Sequence, residues 1–350
     1  MANELYGSIE AGGTKFVCAV GDKLLNIIDS VQFSTEDPKS TLTKTVDYFK
    51  QFTSDLKAIS LASFGPIDII KGSETYGCIQ DTPKMGWSHT DLFGFLTESL
   101  QVPIHVTTDV NASAQGEMTQ RSDINSLVYY TVGTGIGAGA IQASMEIGQI
   151  GHPEMGHILV AKHPKDQEFV GICPFHKDCL EGLAAGPSLE ARTGIRGENI
   201  AENHSVWEIQ AYYIAQALLQ TTLTLRPEII VLGGGVMSQN HVLQLVRKQF
   251  SKLLNDYITV PPLEDYIVTP IIENNGSATV GNFYLARKIA RKCLEFWENE
   301  KLNIIYLERA RKSLSFFVAK IKERRKMTDN IEIVMDIAVN KSPSAGDKKG

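Results

Sequence analysis

Three short apolar runs open the chain, LYGSIEAG at 5–12, KFVCAVGD at 15–22 and LLNIIDSVQF at 24–33, separated by Gly12 with Gly13 and by Gly21 with Asp22. Runs of that length with backbone-permissive residues between them predict three strands joined by hairpins. Residues 38–52 read as a helix and 57–64 as a strand closed by Gly65-Pro66-Ile67-Asp68. The segment 76–87, YGCIQDTPKMGW, is rich in turn residues and is expected to be a loop reaching over a ligand pocket. A helix at 91–100 and a strand at 104–107 follow, then a helix capped by Thr108 or Asp109, whose small residues allow close packing. An apolar strand at 127–131 runs into the glycine-rich stretch 133–140, so the order strand, glycine hairpin, strand occurs twice. Helices are predicted at 180–192, 206–225, from about 237 to 254, and at 277–289, with strands at 228–232 and 266–269. Beyond about residue 291 the pattern changes to a basic amphipathic helical stretch, then IEIVMDIAV, which alternates like a strand, then a disordered NKSPSAGDKKG. The basic run 320–326 is read as a solvated helix face.

A length of 350 residues accommodates two domains of ordinary size, and 43% hydrophobic with 21% charged residues is the balance of a globular protein. A formal net charge of −6 argues against nucleic acid or an anionic membrane as the main partner. No apolar run is long enough to span a bilayer and the first residues lack the pattern of a secretion signal, so a cytoplasmic location is expected. Of five cysteines, Cys18, Cys78 and Cys293 are far apart and read as small apolar residues rather than a disulfide framework.

The other two belong to a denser pattern. Cys173, His176 and Cys179 recur at three-residue steps, with His157 upstream, and two thiolates with two imidazoles complete a tetrahedral shell for Zn²⁺. Four protein ligands leave such an ion no open position, which makes it structural. Glu154 and Glu181 flank the cluster, and carboxylates held in fixed positions suit a polyhydroxylated ligand. Gly12, Gly13, Thr14 and Lys15 would bring backbone N–H groups, a hydroxyl and an ammonium towards phosphate oxygens, and Gly133, Thr134, Gly135 and Gly137 repeat the arrangement. Neither stretch is a P-loop or a Rossmann fingerprint, because no helix follows directly. Two such hairpins suggest a nucleotide clamped in a cleft. A third cluster, Gly233, Gly234 and Gly235, lies between a strand and a helix, where bare backbone can receive a base or ribose.

Taken together, EAGGTK at 10–15, FGPID at 64–68, DTPKMGW at 81–87, TDVNASAQGE at 108–117, GTGIGAG at 133–139, HPEMGH at 152–157, CPFHKDCLEGLAAGP at 173–187 and LGGGV at 232–236 closely resemble the ROK family of sugar kinases and repressors, and within it the zinc-containing fructokinases. The resemblance covers about residues 5–290 and implies an α/β, actin-like or hexokinase-like ATPase fold of two ribonuclease-H-like domains around a cleft. It implies an N-terminal domain at 1–120, a C-terminal domain at 121–290 and an extension of unassigned role at 291–350. It also implies that Asp109 is the catalytic base, that Gly65, Asn111, Glu154 and Glu181 bind sugar, and that His157 joins Cys173, His176 and Cys179 on zinc. The two hairpins would hold ATP phosphates, and Pro187 with Gly233, Gly234 and Gly235 the adenosine side. Glu10 stands where many members have Asp, facing Mg²⁺, and Thr108 replaces a common Asn.

The implied activity is transfer of the γ-phosphoryl group of MgATP to a hexose, D-fructose at its 6-hydroxyl, by a homodimer. A kinase for mannose, glucose or an N-acetylated hexose is the rival on the same scaffold. A sugar-responsive repressor would need a DNA-binding domain ahead of a phosphate hairpin that here begins near residue 10.

Overall fold

The computed structural model describes residues 4–313 except 83, 149, 150 and 275, and the backbone alone over 296–313. The strand expected at 331–339 and the tail after it lie outside the described residues. The first sheet is built from β1 (Leu5–Ala11), β2 (Lys15–Gly21), β3 (Ile27–Ser34), β4 (Leu56–Ser63) and β5 (Ile104–Thr108), with helices α1 (Pro38–Lys50) and α2 (Leu92–Leu100) between them. Helix α3 (Asp109–Thr119) leads to the second sheet: β6 (Leu127–Val132), β7 (Ile136–Gln142), β8 (Met145–Glu146), β9 (Ile229–Gly233) and β10 (Ile267–Val268). Helices α4 (Leu180–Ala184), α5 (Gly186–Thr193), α6 (Val206–Thr224), α7 (Asn240–Leu254) and the short α8 (Leu263–Tyr266) surround it, and α9 (Ser277–Ser313) closes the described chain.

The two sheets have one topology. The first runs β3-β2-β1-β4-β5 and the second β8-β7-β6-β9-β10, each an antiparallel meander of three strands followed by two parallel ones. The repeated glycine hairpins therefore occupy equivalent positions, β1–β2 and β6–β7. Each sheet buries a core of its own: Phe16, Phe49, Trp87 and Leu96 under the first, Tyr130, Trp207, Tyr213 and Phe250 under the second. Helix α1 shows how sequence sets this up. Asp37 caps it by accepting the Ser40 N–H at 3.0 Å, and Leu42, Val46 and Phe49 fall on its buried face.

The helix that follows each sheet's last strand packs on the other sheet. α3 leaves β5 and lies on β6 and β7, whereas α9 follows β10 and lies on β1 and β4. We propose on this packing that α9 be counted with the first body and, by the same measure, α3 with the second. The helices cross at glycines, because a Cβ on Gly281 would stand 1.8 Å from the Ala112 carbonyl oxygen and one on Gly116 1.9 Å from that of Ser277. Beside the crossing, the fully buried Glu117 accepts the N–H groups of Ile271 and Ile272 at 3.0 and 3.2 Å and the Ser277 hydroxyl at 2.8 Å. Arg121 pairs with the same carboxylate and also donates to the Glu117 carbonyl oxygen at 3.0 Å.

Four elements differ from expectation. The helix expected at 180–192 breaks at Ala185, which is extended (φ −70°, ψ 160°), because Gly186 gives its N–H to the Gly133 carbonyl at 2.7 Å and Pro187 has none to give. The helix expected to end at 289 continues to Ser313. Strand β8 was not expected. In the segment 76–87, Trp87 is buried against Phe16 and Phe64 with its indole N–H donating to Glu36 O at 2.8 Å, and none of the segment's described residues lines the two large cavities. No helix among the described residues is long and apolar enough to cross a membrane.

Glu117→Ala leaves Arg121 charged and buried beside two orphaned N–H groups. It should lower unfolding free energy by about 3–5 kcal/mol, read from the denaturant midpoint.

Candidate active site

β5 hands over to α3 at Thr108, whose hydroxyl accepts the Asn111 N–H at 3.3 Å. Thr108 rather than Asp109 is thus the N-cap. Asp109 is freed from that task and opens onto a cavity of about 510 Å³, keeping one local contact, the Val110 N–H at 2.9 Å. Gly65 borders the same cavity from the end of β4, Gly133, Thr134, Gly135 and Gly137 from the β6–β7 hairpin, and Glu154 and Glu181 from the segment after β8. Asp109 is exposed to solvent on the cleft wall. The protein around it pushes its carboxyl above the usual carboxylate range against the pull of backbone N–H groups, and Glu154 adds repulsion.

Glu10, at the end of β1, accepts a hydrogen bond from Thr279 of α9. Burial pushes its carboxyl up to about 7; the Thr279 bond opposes this, Asp109 adds to it and Lys15 offsets part. A carboxylate so poorly compensated, and within electrostatic reach of Asp109, has the chemistry of a divalent-cation ligand.

The four expected metal ligands converge. One ligand atom from each of His157, Cys173, His176 and Cys179 lies within 4.8 Å of the others. His157 Nδ1 is 3.7 Å from Cys173 Sγ and 3.5 Å from Cys179 Sγ, and His176 Nδ1 is 3.9 Å from Cys173 Sγ. A tight turn makes the pocket for them, with Cys173 and Lys177 exchanging backbone bonds at 3.0 and 3.3 Å and Lys177 at φ 59°. Gly156 seats the segment on β7, since a Cβ there would lie 1.7 Å from Ile136 O. His157 turns its other nitrogen away: Nε2 stands 4.0 Å from Glu181 Oε1. Glu181 Oε2 in turn accepts the Ile136 N–H at 3.0 Å. One histidine and one carboxylate therefore connect the metal cluster to the glycine hairpin.

A second cavity of about 560 Å³ shares Gly133 and Thr134 with the first and is lined by Pro187, Gly235, Arg196, Trp207 and Gln239. The hairpin is the wall between them. Gly233 and Gly234 border a smaller cavity of about 270 Å³ instead. Asn111 is buried on α3 and does not line the cleft cavity. Neither do Gly12, Gly13, Thr14 and Lys15, whose hairpin is closed by Gly12 N–H to Lys15 O at 3.0 Å while the Lys15 amine donates to Gln32 Oε1 at 3.0 Å. Sequence reasoning missed His152, which lines the cavity with a buried Nδ1 lacking a partner, although it sits inside HPEMGH. It also missed Thr279, Arg196 and Trp207, which no local pattern marks.

Two α/β bodies of one topology, with paired glycine hairpins and acidic side chains facing the cleft between them, define a hexokinase-like ATPase fold. The ROK family model matches residues 6–289, and the chain belongs to the ROK family. It is 59% identical over 292 residues to a fructokinase of Streptococcus mutans serotype c, covering 83% of this chain and 100% of that one. To a fructokinase of Lactococcus lactis subsp. cremoris it is 56% identical, covering 82% and 98%. Among solved structures, the ROK hexokinase from Thermus thermophilus superposes with a TM-score of 0.68 at 21% identity, covering 82% of this chain and 99% of that one, a likeness of fold.

Because Glu10 binds its proton more tightly when folded, its neutral form adds stability below its ordinary value of 4.5, and this is lost as pH rises through about 7. Between pH 5 and 8, without nucleotide or magnesium, wild type should lose on the order of 2 kcal/mol relative to Glu10→Gln in urea unfolding.

Proposed function

We propose that the protein transfers the γ-phosphoryl group of ATP to D-fructose, giving fructose 6-phosphate. The observation that carries this is a single cavity in which Asp109 faces Glu154 and Glu181, joined through the Gly133–Thr134 wall to a second cavity of nucleotide size. The high identity to two fructokinases supports fructose over other hexoses.

Asp109, which opens onto the cavity beside Glu154 and Glu181, accepts the proton of the attacking hydroxyl. Glu154 and Glu181 bind sugar hydroxyls as acceptors and orient that hydroxyl, with Gly65 bordering the ring. Backbone N–H groups of the 133–137 hairpin receive phosphate oxygens, and the adenosine lies on Pro187 and Gly235 beside Trp207. Magnesium bound with ATP neutralises charge on the polyphosphate, and Glu10 is the residue that would hold it.

The ion of the His157, Cys173, His176 and Cys179 cluster is zinc. Zn–S and Zn–N bonds of about 2.3 and 2.0–2.1 Å at tetrahedral angles separate sulfur from nitrogen by about 3.5 Å, and the sulfur–nitrogen distances here are 3.5, 3.7 and 3.9 Å. Its work is structural. Through His157 it orients Glu181, as an outer-shell carboxylate orients a ligating histidine, with the direction of support reversed.

A coupled ATP-turnover assay over fructose, mannose and glucose tests the activity, and fructose should give the highest kcat/KM. Asp109→Asn should lower kcat about 10²–10⁴-fold while the fold and sugar affinity stay near wild type; normal turnover removes Asp109 as the base. Cys179→Ser should lose zinc by metal analysis and raise the fructose KM together. A zinc-free variant with unchanged sugar kinetics would break the link through His157.

A further inference from the structure

Away from the cleft, a fourth pocket, of about 200 Å³, lies between the two bodies. Its walls come from β5, the loop at 69–71, Gln115 of α3, the β7–β8 turn and α9. Its floor is His105 and Thr107, two residues apart on β5 and so on one face of the strand. His105 Nε2 and Thr107 Oγ1 are both buried without any hydrogen-bond partner, and Thr107 is only 2% exposed. Orphaned polar atoms of this kind are rare, and two on one cavity floor suit a ligand that accepts hydrogen bonds.

The mouth carries Lys71, Lys288 and Lys292, and burial first, then the charges of all three lysines, lower the pKa of His105 to about 4. The imidazole is neutral and can present an N–H. Glu146, bonded to Gln115 Nε2 at 3.1 Å, is the one carboxylate among the lining residues. Three lysines against one carboxylate leave two net positive charges. The turn bringing up Glu146 and Ser144 is itself constrained, with Ala143 at φ 49° and Ser144 at φ 60°, conformations that non-glycine residues rarely take and that cluster at functional sites.

We infer that this pocket binds the dianionic phosphate group of a small ligand, with Lys71, Lys288 and Lys292 at its rim and Thr107 and His105 donating at its floor. A volume near 200 Å³ admits a phosphate with a short carbon skeleton, below the roughly 300 Å³ where pockets for larger ligands begin. The lysines and the floor all belong to the first body as counted above, whereas the second closes the pocket with β8 and the Glu146 carboxylate, so a bound dianion favours relative positions of the bodies that hold Glu146 away from it and shifts closure of the cleft. Free phosphate and a phosphorylated sugar share the recognised chemistry.

The test is calorimetric titration of inorganic phosphate, and separately of fructose 6-phosphate, into full-length enzyme saturated with fructose and a non-hydrolysable ATP analogue. One equivalent should bind; the tighter of the two arms identifies the source. Lys71→Gln/Lys288→Gln should weaken binding at least tenfold and leave turnover without added phosphate unchanged. Thr107→Val, which keeps shape and charge, should weaken it several-fold. No binding to the occupied wild type, or equal affinity in either variant, overturns the site, the latter identifying diffuse attraction by lysines. Bound phosphate should also change the fructose KM of wild type and not of the lysine variant; an unmoved wild-type KM overturns the link to closure.

Discussion

Everything in this protein hangs on the crossing of α3 and α9. Two backbones approach so closely that Gly116 and Gly281 leave no room for a Cβ, and a buried carboxylate beside them ties the start of α9 to the end of α3. Glu117 is costly to bury, and its cost is offset by an arginine, two N–H groups and a hydroxyl acting on both oxygens. The catalytic candidate Asp109 begins one of these helices, and Glu10 is bonded to Thr279 on the other. Asp109 and Glu10 are therefore carried or braced by the two helices about which the bodies meet.

The second constraint is a chain of polar approaches rather than a packing, with His157 Nε2 at 4.0 Å from Glu181 Oε1 as its longest link. From the sulfurs of Cys173 and Cys179 it passes through both nitrogens of His157 to Glu181, and from Glu181 to the backbone of Ile136 in the hairpin between the two large cavities. An imidazole has two distinct ring nitrogens and can offer one to a metal while the other faces a carboxylate. Glu181 thereby has the His/Cys cluster behind it and the hairpin between the two large cavities bonded at its side.

Much of this was legible in the residues. The strand–glycine–strand pattern, seen twice, is the actual duplication of the two sheets, because strand periodicity and turn chemistry are local properties. The convergence of His157, Cys173, His176 and Cys179 was legible because three of them stand at fixed steps in one short loop. What escaped was decided by partners distant in sequence. The break at Ala185 follows from the Gly133 carbonyl claiming the Gly186 N–H, and Trp87 is drawn inward by Phe16, Phe64 and the Glu36 carbonyl. Asn111 and Lys15 carry the right chemistry, but their side chains do not line the cleft cavity, and Lys15 is engaged by Gln32 on the neighbouring strand. Thr279 and the pocket floor at His105 and Thr107 have no motif at all; only the fold gives them neighbours.

The exchange of helices between the bodies has a consequence for how the chain is made. Asn282 of α9 donates to Ser8 Oγ at 3.0 Å and to Ile9 O at 3.4 Å, and Phe283 fills the space over Gly21, so strands synthesised first are sealed by a helix synthesised late. During translation the first sheet emerges with the face beneath Phe283, Ala286 and Ala290 uncovered, and it stays so until the second sheet has been made. The two bodies cannot mature one after the other like beads; the ribosome must release nearly the whole kinase before its first half is finished.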